Sequence, residues 1–306
     1  MKKLRFFLSL ITKSNDFQIE QALTAEAAAR ELGVELEIAY ADGDTITQST
    51  QILKTIQVHA ALQPSGILVE PAGGTGLPQV AKAAATAGIA WGLLNREADY
   101  IAELRRTSKA PAFLVTSDHK ETGRIQARQL SALLPAGGAA LYITGPTESG
   151  TAKDRKEGFE AVRPRNVHVT LLRGKWTEES SQRAVSAWLK LGITSKVTVD
   201  AVVAQNDAMA MGARKAFEGL SDPQEKQKWL SLPFLGCDGL SKTGQTWVRN
   251  GLLASTVLTP PMAGQALKLM AQALRSGGQI PERTVTSLES YPPIEKLAEQ
   301  RPAIVK

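Results

Sequence analysis

Residues 200–217 read DAVVAQNDAMAMGARKAF, and this stretch decides how the rest of the chain is read. It passes from Ala201-Val202-Val203-Ala204 straight into Gln205-Asn206-Asp207 and then into a helical pattern. A short, unbroken apolar run with a helix directly behind it fits a strand buried on both faces, as in a parallel sheet covered by helices. In open sheets of that kind ligands bind outside the carboxyl ends of the strands. Other strands of this chain should then end on comparable polar groups.

The pattern repeats along the chain. Ten apolar runs occupy 4–11, 34–41, 66–72, 89–95, 112–118, 139–145, 167–174, 201–207, 233–239 and 254–260. Helical patterns separate most of them, at 19–33, 50–63, 77–88, 119–135, 153–162, 178–192, 208–217 and 262–277. Gly33, Gly88 and Gly192 close three of these patterns, as glycine does at helix C-termini. Strands alternating with helices predict an α/β fold with parallel sheets. Ten strands exceed one comfortable sheet, and 306 residues suit two lobes. The expected fold class is therefore α/β, with two doubly wound parallel-sheet lobes.

The runs end on chemistry. The first leads to Asn15, Asp16 and Phe17, the third to Glu70, the fourth to Asn95-Arg96 and the fifth to Ser117-Asp118. The sixth runs into a Gly145–Gly150 loop with Arg155 just inside the next helix, and the seventh leads to Trp176. The eighth ends at Asn206-Asp207 and the ninth at Asp238-Gly239. Amides and carboxylates exchange hydrogen bonds with hydroxyls, Arg supplies a fixed fork of donors, and an aromatic face covers apolar C–H surface. This mixture suits a polyhydroxyl ligand. Each residue also has a plainer use: Asp207 as a helix cap or dipole partner, Asp238-Gly239 as a turn, and Trp176 as packing.

Composition narrows the classes. The chain is 43% hydrophobic and 22% charged, as soluble globular proteins are, and its formal charge is +6. The basic residues are scattered among acidic ones without a run, so a solvated surface is expected rather than a nucleic-acid face. Cys237 is the single cysteine, and His59, His119 and His168 lie far apart, so no disulfide framework, metal site or cofactor is expected. The segment Gly73-Gly74-Thr75-Gly76 lacks the Lys-Ser/Thr ending of a phosphate loop and reads as a turn. MKKLRFFLSLI has too short an apolar core for a signal peptide and no cleavage site, so it reads as the first buried strand. A signal peptide is thus not expected within this chain.

AVVAQNDAMAMGARKAF, FLGCDGL, TSDHKETGRIQARQL, TAKDRKEGFEAV and GILVEPAGGTGL together resemble the type I periplasmic sugar-binding proteins, the ribose- and galactose-binding group. Their fold is shared with the effector domains of lactose-repressor-type regulators. The resemblance covers nearly the whole chain. It implies two lobes joined by three crossings, near Thr116-Ser117, Leu258-Thr259 and Ser290, with a ligand cleft between them. The lobes would be 1–116 with 259–290 and 117–258 with 291–306. It implies ligand contacts at Asn15, Phe17, Asn95, Arg96, Arg155, Trp176, Asn206, Asp238 and Thr259.

The chain departs from the family pattern at one of these contacts and at two positions beside them. Asn95 stands where relatives carry an acidic residue, Gln18 where they can place a second ring, and Asp16 where they often have proline. Asn offers donors where Asp only accepts, so Asn95 is expected to meet a ligand acceptor and to set a preference other than plain ribose. Asp207 is expected to organise the helix start behind Asn206.

The resemblance implies a solute-binding component of an ABC transporter that captures a monosaccharide by lobe closure, outside the cytoplasm, partnered by permease subunits or a membrane sensor. It implies a monomer and no turnover. A sensing module of a receptor or regulator is the alternative. Strand one begins at Leu4, so no DNA-binding headpiece and no direct nucleic-acid contact is expected. An enzyme is disfavoured, because no nucleophile elbow, metal cluster or Ser/His/Asp arrangement is present.

Overall fold

A computed structural model describes residues 3–74, 76–191 and 197–299. The chain divides into two compact units, Met1–Ser117 with Pro261–Thr286 and Asp118–Pro260 with Ser287–Lys306. Ser290, near which the third crossing was expected, already lies inside unit 2. It pairs with Val257 across a two-stranded ladder, and its hydroxyl accepts from the Gln129 amide at 2.9 Å.

Unit 1 runs β1 (Arg5–Leu10), α1 (Asp16–Leu32), β2 (Glu35–Tyr40), α2 (Thr45–Ile56), β3 (Gly66–Val69), α3 (Pro78–Thr86), β4 (Ala90–Leu94), α4 (Tyr100–Thr107) and β5 (Ala112–Ser117). It later adds α11 (Ala263–Ser276) and β11 (Arg283–Thr286). Its strands form one parallel sheet in the order β11-β5-β4-β3-β1-β2. Side chains alternate between the faces, with the period of two that a strand imposes. Phe7, Ile67, Val69, Trp91 and Leu93 meet Ile52, Val80, Ala84 and Ile101 of α2, α3 and α4. The intervening positions include Gly66 and Gly92, where a Cβ would lie 2.2 Å and 3.1 Å from atoms of Met270 on α11. Glycine at these two strand positions is what lets α11 lie against the sheet.

Helix α2 begins five residues before the expected pattern and stops at Ile56. Asp44 accepts from the Thr47 N–H at 2.6 Å and fixes that start. The end follows from the loss of a buried face, since Val58 and Leu62 are exposed. Strand β11 was not expected. Its RTVT sequence is polar and alternating because it is an edge strand, half in solvent.

Unit 2 runs α5 (His119–Leu133), β6 (Gly138–Thr144), α6 (Gly150–Val162), β7 (Val167–Arg173), α7 (Glu178–Leu189), β8 (Ala201–Ala204), α8 (Asp207–Glu218), α9 (Pro223–Leu230), β9 (Phe234–Leu235), α10 (Gly244–Arg249) and β10 (Thr256–Leu258). It closes with β12 (Glu289–Tyr291) and α12 (Ile294–Glu299). The parallel order is β7-β6-β8-β9, and bridges from Leu235 to Ser255 and from Asp238 to Leu258 carry it toward β10, which pairs antiparallel with β12. One face, with Leu141, Ile143, Val202 and Phe234, packs on Val185, Trp188, Ala213 and Phe217. The other, with Tyr142, Val167 and Val203, packs on Ala127, Leu130 and Phe159. The helix expected over 178–192 ends at Leu189, and Gly192 lies outside the described residues.

Two glycine contacts in this unit aim the site. A Cβ on Gly123 of α5 would stand 1.9 Å from the Arg155 carbonyl oxygen, and one on Gly158 of α6 would stand 1.9 Å from the Lys120 carbonyl oxygen. Helices α5 and α6 therefore meet backbone to backbone, which sets the depth at which Arg155 lies. Gly212 of α8 does the same against Glu178 of α7.

Candidate functional site

In each unit the expected residues lie at the carboxyl edge of the parallel sheet, because every strand that leads to them runs the same way. In unit 1, Asn15 is the N-cap of α1. Its Oδ1 accepts from the N–H groups of Phe17 and Gln18 at 2.9 and 3.3 Å. Phe17 is buried in the first turn of that helix rather than in a loop. Gln18 turns inward, and its Oε1 accepts from the Ile11 N–H at 2.8 Å, tying the helix to the end of β1.

The centre of this half is a carboxylate that the sequence did not single out as a site residue. Glu70, buried at the end of β3, accepts from Asn95 Nδ2 at 2.9 Å and from Gln21 Nε2 at 3.0 Å. Gln21 Oε1 in turn accepts from the N–H groups of Met262 and Ala263, at 2.7 and 2.8 Å. Gln48 donates to the Glu70 carbonyl and to Ser9 Oγ, and accepts from the Ala72 N–H. Asn95 thus directs one of its amide hydrogens to Glu70, whereas the sequence pattern aimed its donors at a ligand acceptor. Arg96, next to it, is buried, and Glu97 is committed to Arg283 at 2.9 Å.

In unit 2, Gln205 organises the floor. Its Oε1 accepts from the Gly145 N–H at 2.8 Å. Its Nε2 donates to Tyr142 Oη and to the Ala152 carbonyl, both at 2.9 Å, and its own carbonyl accepts from Arg155 Nη1. Arg155 is 3% exposed and lies 4.0 Å from Asp238 Oδ1. Its guanidinium carbon stands 5.7 Å from the centre of the Trp176 ring. Among the described residues its buried Nε has no hydrogen-bond partner. The indole lies on Gly145, where a Cβ would come within 2.2 Å of Cζ2. Arg155, Trp176 and Asp238 therefore form one cluster: a ring, a buried cation and an acceptor.

Asn206 supports this cluster. Its Oδ1 caps α8 by accepting from the Met209 N–H at 2.9 Å, and its Nδ2 donates to the Trp176 carbonyl at 3.0 Å. The cap is thus made by Asn206, and Asp207 is the acidic residue of the first turn, placed to complement the helix dipole. The Asp207 carboxylate also accepts from the Gly239 N–H at 2.8 Å and from the Thr256 hydroxyl at 2.7 Å, joining β8 to the ends of β9 and β10. Thr259 is buried, with its hydroxyl 3.4 Å from Cys237 Sγ and its N–H on the Asp238 carbonyl at 3.0 Å. Burial pushes the Cys237 thiol up to about 12, so it is neutral at ordinary pH.

The backbone marks the same places. Among the described residues five non-glycine positions have positive φ, and three of them are Asn95 (56°), Trp176 (67°) and Asp238 (111°). Such conformations are uncommon outside glycine, most of all for a bulky residue, and persist only where surrounding contacts impose them. Here the contacts are the Glu70–Asn95 bond, the Asn206–Trp176 bond and the two bonds that hold Asp238 between Val257 and Thr259.

Two α/β units with ligand-type side chains on their carboxyl edges define the class of binding proteins with paired parallel-sheet lobes. The chain belongs to the periplasmic binding protein domain family, whose pattern matches residues 6–279. It is 25% identical over 292 residues to the galactofuranose-binding protein of Escherichia coli, covering 93% of this chain and 86% of that one. To the D-apiose import binding protein of Paraburkholderia graminis it is 25% identical over 258 residues, 83% of this chain and 75% of that one. A Rhizobium meliloti chain named for rhizopine binding is 30% identical over 198 residues, and the match spans 58% of its length. A Mycobacterium smegmatis structure in complex with β-D-fucofuranose has the same fold, with a TM-score of 0.80 and 22% identity over 98% of this chain and 94% of that one. A Bacillus halodurans solute-binding protein with bound myo-inositol scores 0.79 at 21% identity, over 98% of both chains. Among the described residues no helix is long and apolar enough to cross a membrane.

Proposed function

We propose that this chain is the solute-binding component of an ABC importer and that it captures a monosaccharide or a related polyol outside the cytoplasm. The observation that carries the reading is the Trp176–Arg155–Asp238 cluster. It offers a ring for the C–H face of a cyclic polyol, a buried fork of donors and an acceptor for hydroxyls, all on the edge where such sheets take ligands. Asn95, Arg96, Asn15 and Phe17 supply the contacts of unit 1. Periplasmic binding proteins close around their ligands by hinge motion. Relatives named as import binding proteins support permease subunits as partners. The family is one of binding proteins, and the function proposed is capture without turnover.

The second reading, a regulator's sensing module, rests on a 30% match to an Escherichia coli transcriptional regulator that covers only 40% of this chain. The nearly full-length import relatives favour transport.

The test is a thermal-shift screen with D-ribose, D-xylose, D-apiose, D-galactose, L-arabinose and myo-inositol, followed by calorimetry. A sugar at 100 times its Kd stabilises the protein by about 2.7 kcal/mol. Arg155→Ala and Asp238→Ala should remove the shift while native circular dichroism persists. No shift with any of the six, or full shifts in both variants, would refute the assignment.

A further inference from the structure

Unit 1 contains a chain of hydrogen bonds whose polarity is fixed at its far end. The N–H groups of Met262 and Ala263 can only donate, and both point at one oxygen, Gln21 Oε1. That settles which way the Gln21 amide lies: its Nε2 must face Glu70, as it does at 3.0 Å. A carboxylate only accepts. Glu70, with one oxygen on Gln21, must therefore receive a donor on the other, and Asn95 turns Nδ2 toward it at 2.9 Å. Glu70 and Gln21 are buried, so water does not substitute for the bond between them. The positive φ of Asn95 holds its backbone in the matching position.

We infer that Glu70 and Gln21 are positioning residues that fix the Asn95 amide with Oδ1 turned away from Glu70, so that Asn95 offers a ligand an acceptor for a hydroxyl. An amide oxygen has two lone pairs, so it can take a sugar hydroxyl whatever else it accepts. This rests on the sugar-binding reading above and deepens it. The site selects a ligand with a hydroxyl donor at that position and no requirement for a charged partner. It discriminates against an analogue in which that hydroxyl is removed or replaced by an ether oxygen.

Breaking and then restoring the polarity tests the assignment. In Glu70→Gln the new amide can satisfy Gln21 only with its oxygen, which leaves its NH₂ facing Asn95. The Asn95 amide must then turn over. In the exchange Gln21→Glu with Glu70→Gln, the carboxylate moves to position 21. There it accepts from the two backbone N–H groups and from the amide now at position 70. That amide then offers its oxygen to Asn95, and the original orientation returns.

Two measurements are made on the intact chain. The first is the side-chain ¹⁵N–¹H spectrum, with the Asn95 pair identified by its loss in Asn95→Ala. One of its hydrogens should be protected from exchange in the unmodified protein, unprotected in Glu70→Gln, and protected again in the exchange variant. The second is calorimetry with the tightest binder among the six compounds of the screen. Glu70→Gln should weaken it by about 10-fold or more, within the 1–3 kcal/mol of an unsatisfied buried group. The exchange variant should return to within about 3-fold.

Unchanged protection in Glu70→Gln, or loss of both signals without recovery in the exchange variant, overturns the inference. A purely electrostatic role for the Glu70 charge toward Arg96 would give a different pattern, since moving the carboxylate to position 21 would not restore affinity. If none of the six compounds binds the unmodified protein, the transport reading fails. The amide spectrum then decides the orientation by itself.

Discussion

Gly145→Ala tests the unit 2 cluster without altering any group proposed to touch a ligand. A Cβ at this position would lie 2.2 Å from Trp176 Cζ2 and 2.5 Å from Cε2 and Cη2, whereas ordinary contact begins at 3.4 Å. The indole must therefore move by about 1.2 Å, the difference between those two distances. The backbone of Trp176 is poorly placed to follow, because Asn206 Nδ2 holds its carbonyl at 3.0 Å and its φ is 67°. The ring is displaced instead, and its 5.7 Å approach to the Arg155 guanidinium is lost with it. Stacking contributes about 0.5–1.5 kcal/mol beyond area, and its loss corresponds to about 2- to 12-fold in affinity. Calorimetry with the best sugar of the screen reads the affinity, and tryptophan emission, compared with Trp176→Ala, reads the ring. A folded Gly145→Ala protein with unchanged emission and unchanged affinity would refute the stacking role.

Two further outcomes are expected. Asn95→Asp sets a second carboxylate against Glu70, and one of the pair should keep a proton well above the ordinary carboxylate range. Its folded pKa then exceeds its unfolded value, so the variant should lose stability as pH rises through that interval, relative to the unmodified protein; melting curves from pH 5 to pH 8 that run parallel for the two proteins would contradict this. Cys237, buried and held neutral with a pKa of about 12, should resist alkylation by iodoacetamide at pH 8 until the chain unfolds, and prompt labelling of the folded protein would contradict its burial.

Strands such as β8 and β3 were legible because burial on both faces leaves unbroken apolar runs, as at 201–204 and 66–69. Strands β11 and β12 were not: RTVT alternates in the way an irregular loop can, and ESY is three residues long with none buried. Helices α4, α9, α10 and α12 were missed for a related reason. They are short, and among the described residues they bury little: Ile101 and Leu104, Trp229, Gly244, and Leu297. In the site, charged and aromatic residues at strand ends announced themselves. The glutamines did not. Gln21, Gln48 and Gln205 read as ordinary polar residues, yet each bonds groups on at least two separate segments. Glutamine has no distinctive spacing; only the fold shows which backbone groups its two ends reach. Glu70 was hidden in the same way, because a carboxylate after a strand does not reveal that both its oxygens face amides.

The positive φ angles at Asn95, Trp176 and Asp238 have a consequence for how this protein responds to mutation. Residues held in such regions cost about 1–3 kcal/mol each, and glycine removes that cost. At these three positions the substitution that relaxes the backbone is also the one that deletes the proposed binding group. A library selected only for heat resistance would therefore drift toward glycine at the points where recognition is proposed to reside, and its hardiest members would be empty scaffolds. Redesign of ligand preference should hold these three backbones fixed and vary the side chains that Glu70, Gln205 and Asn206 support.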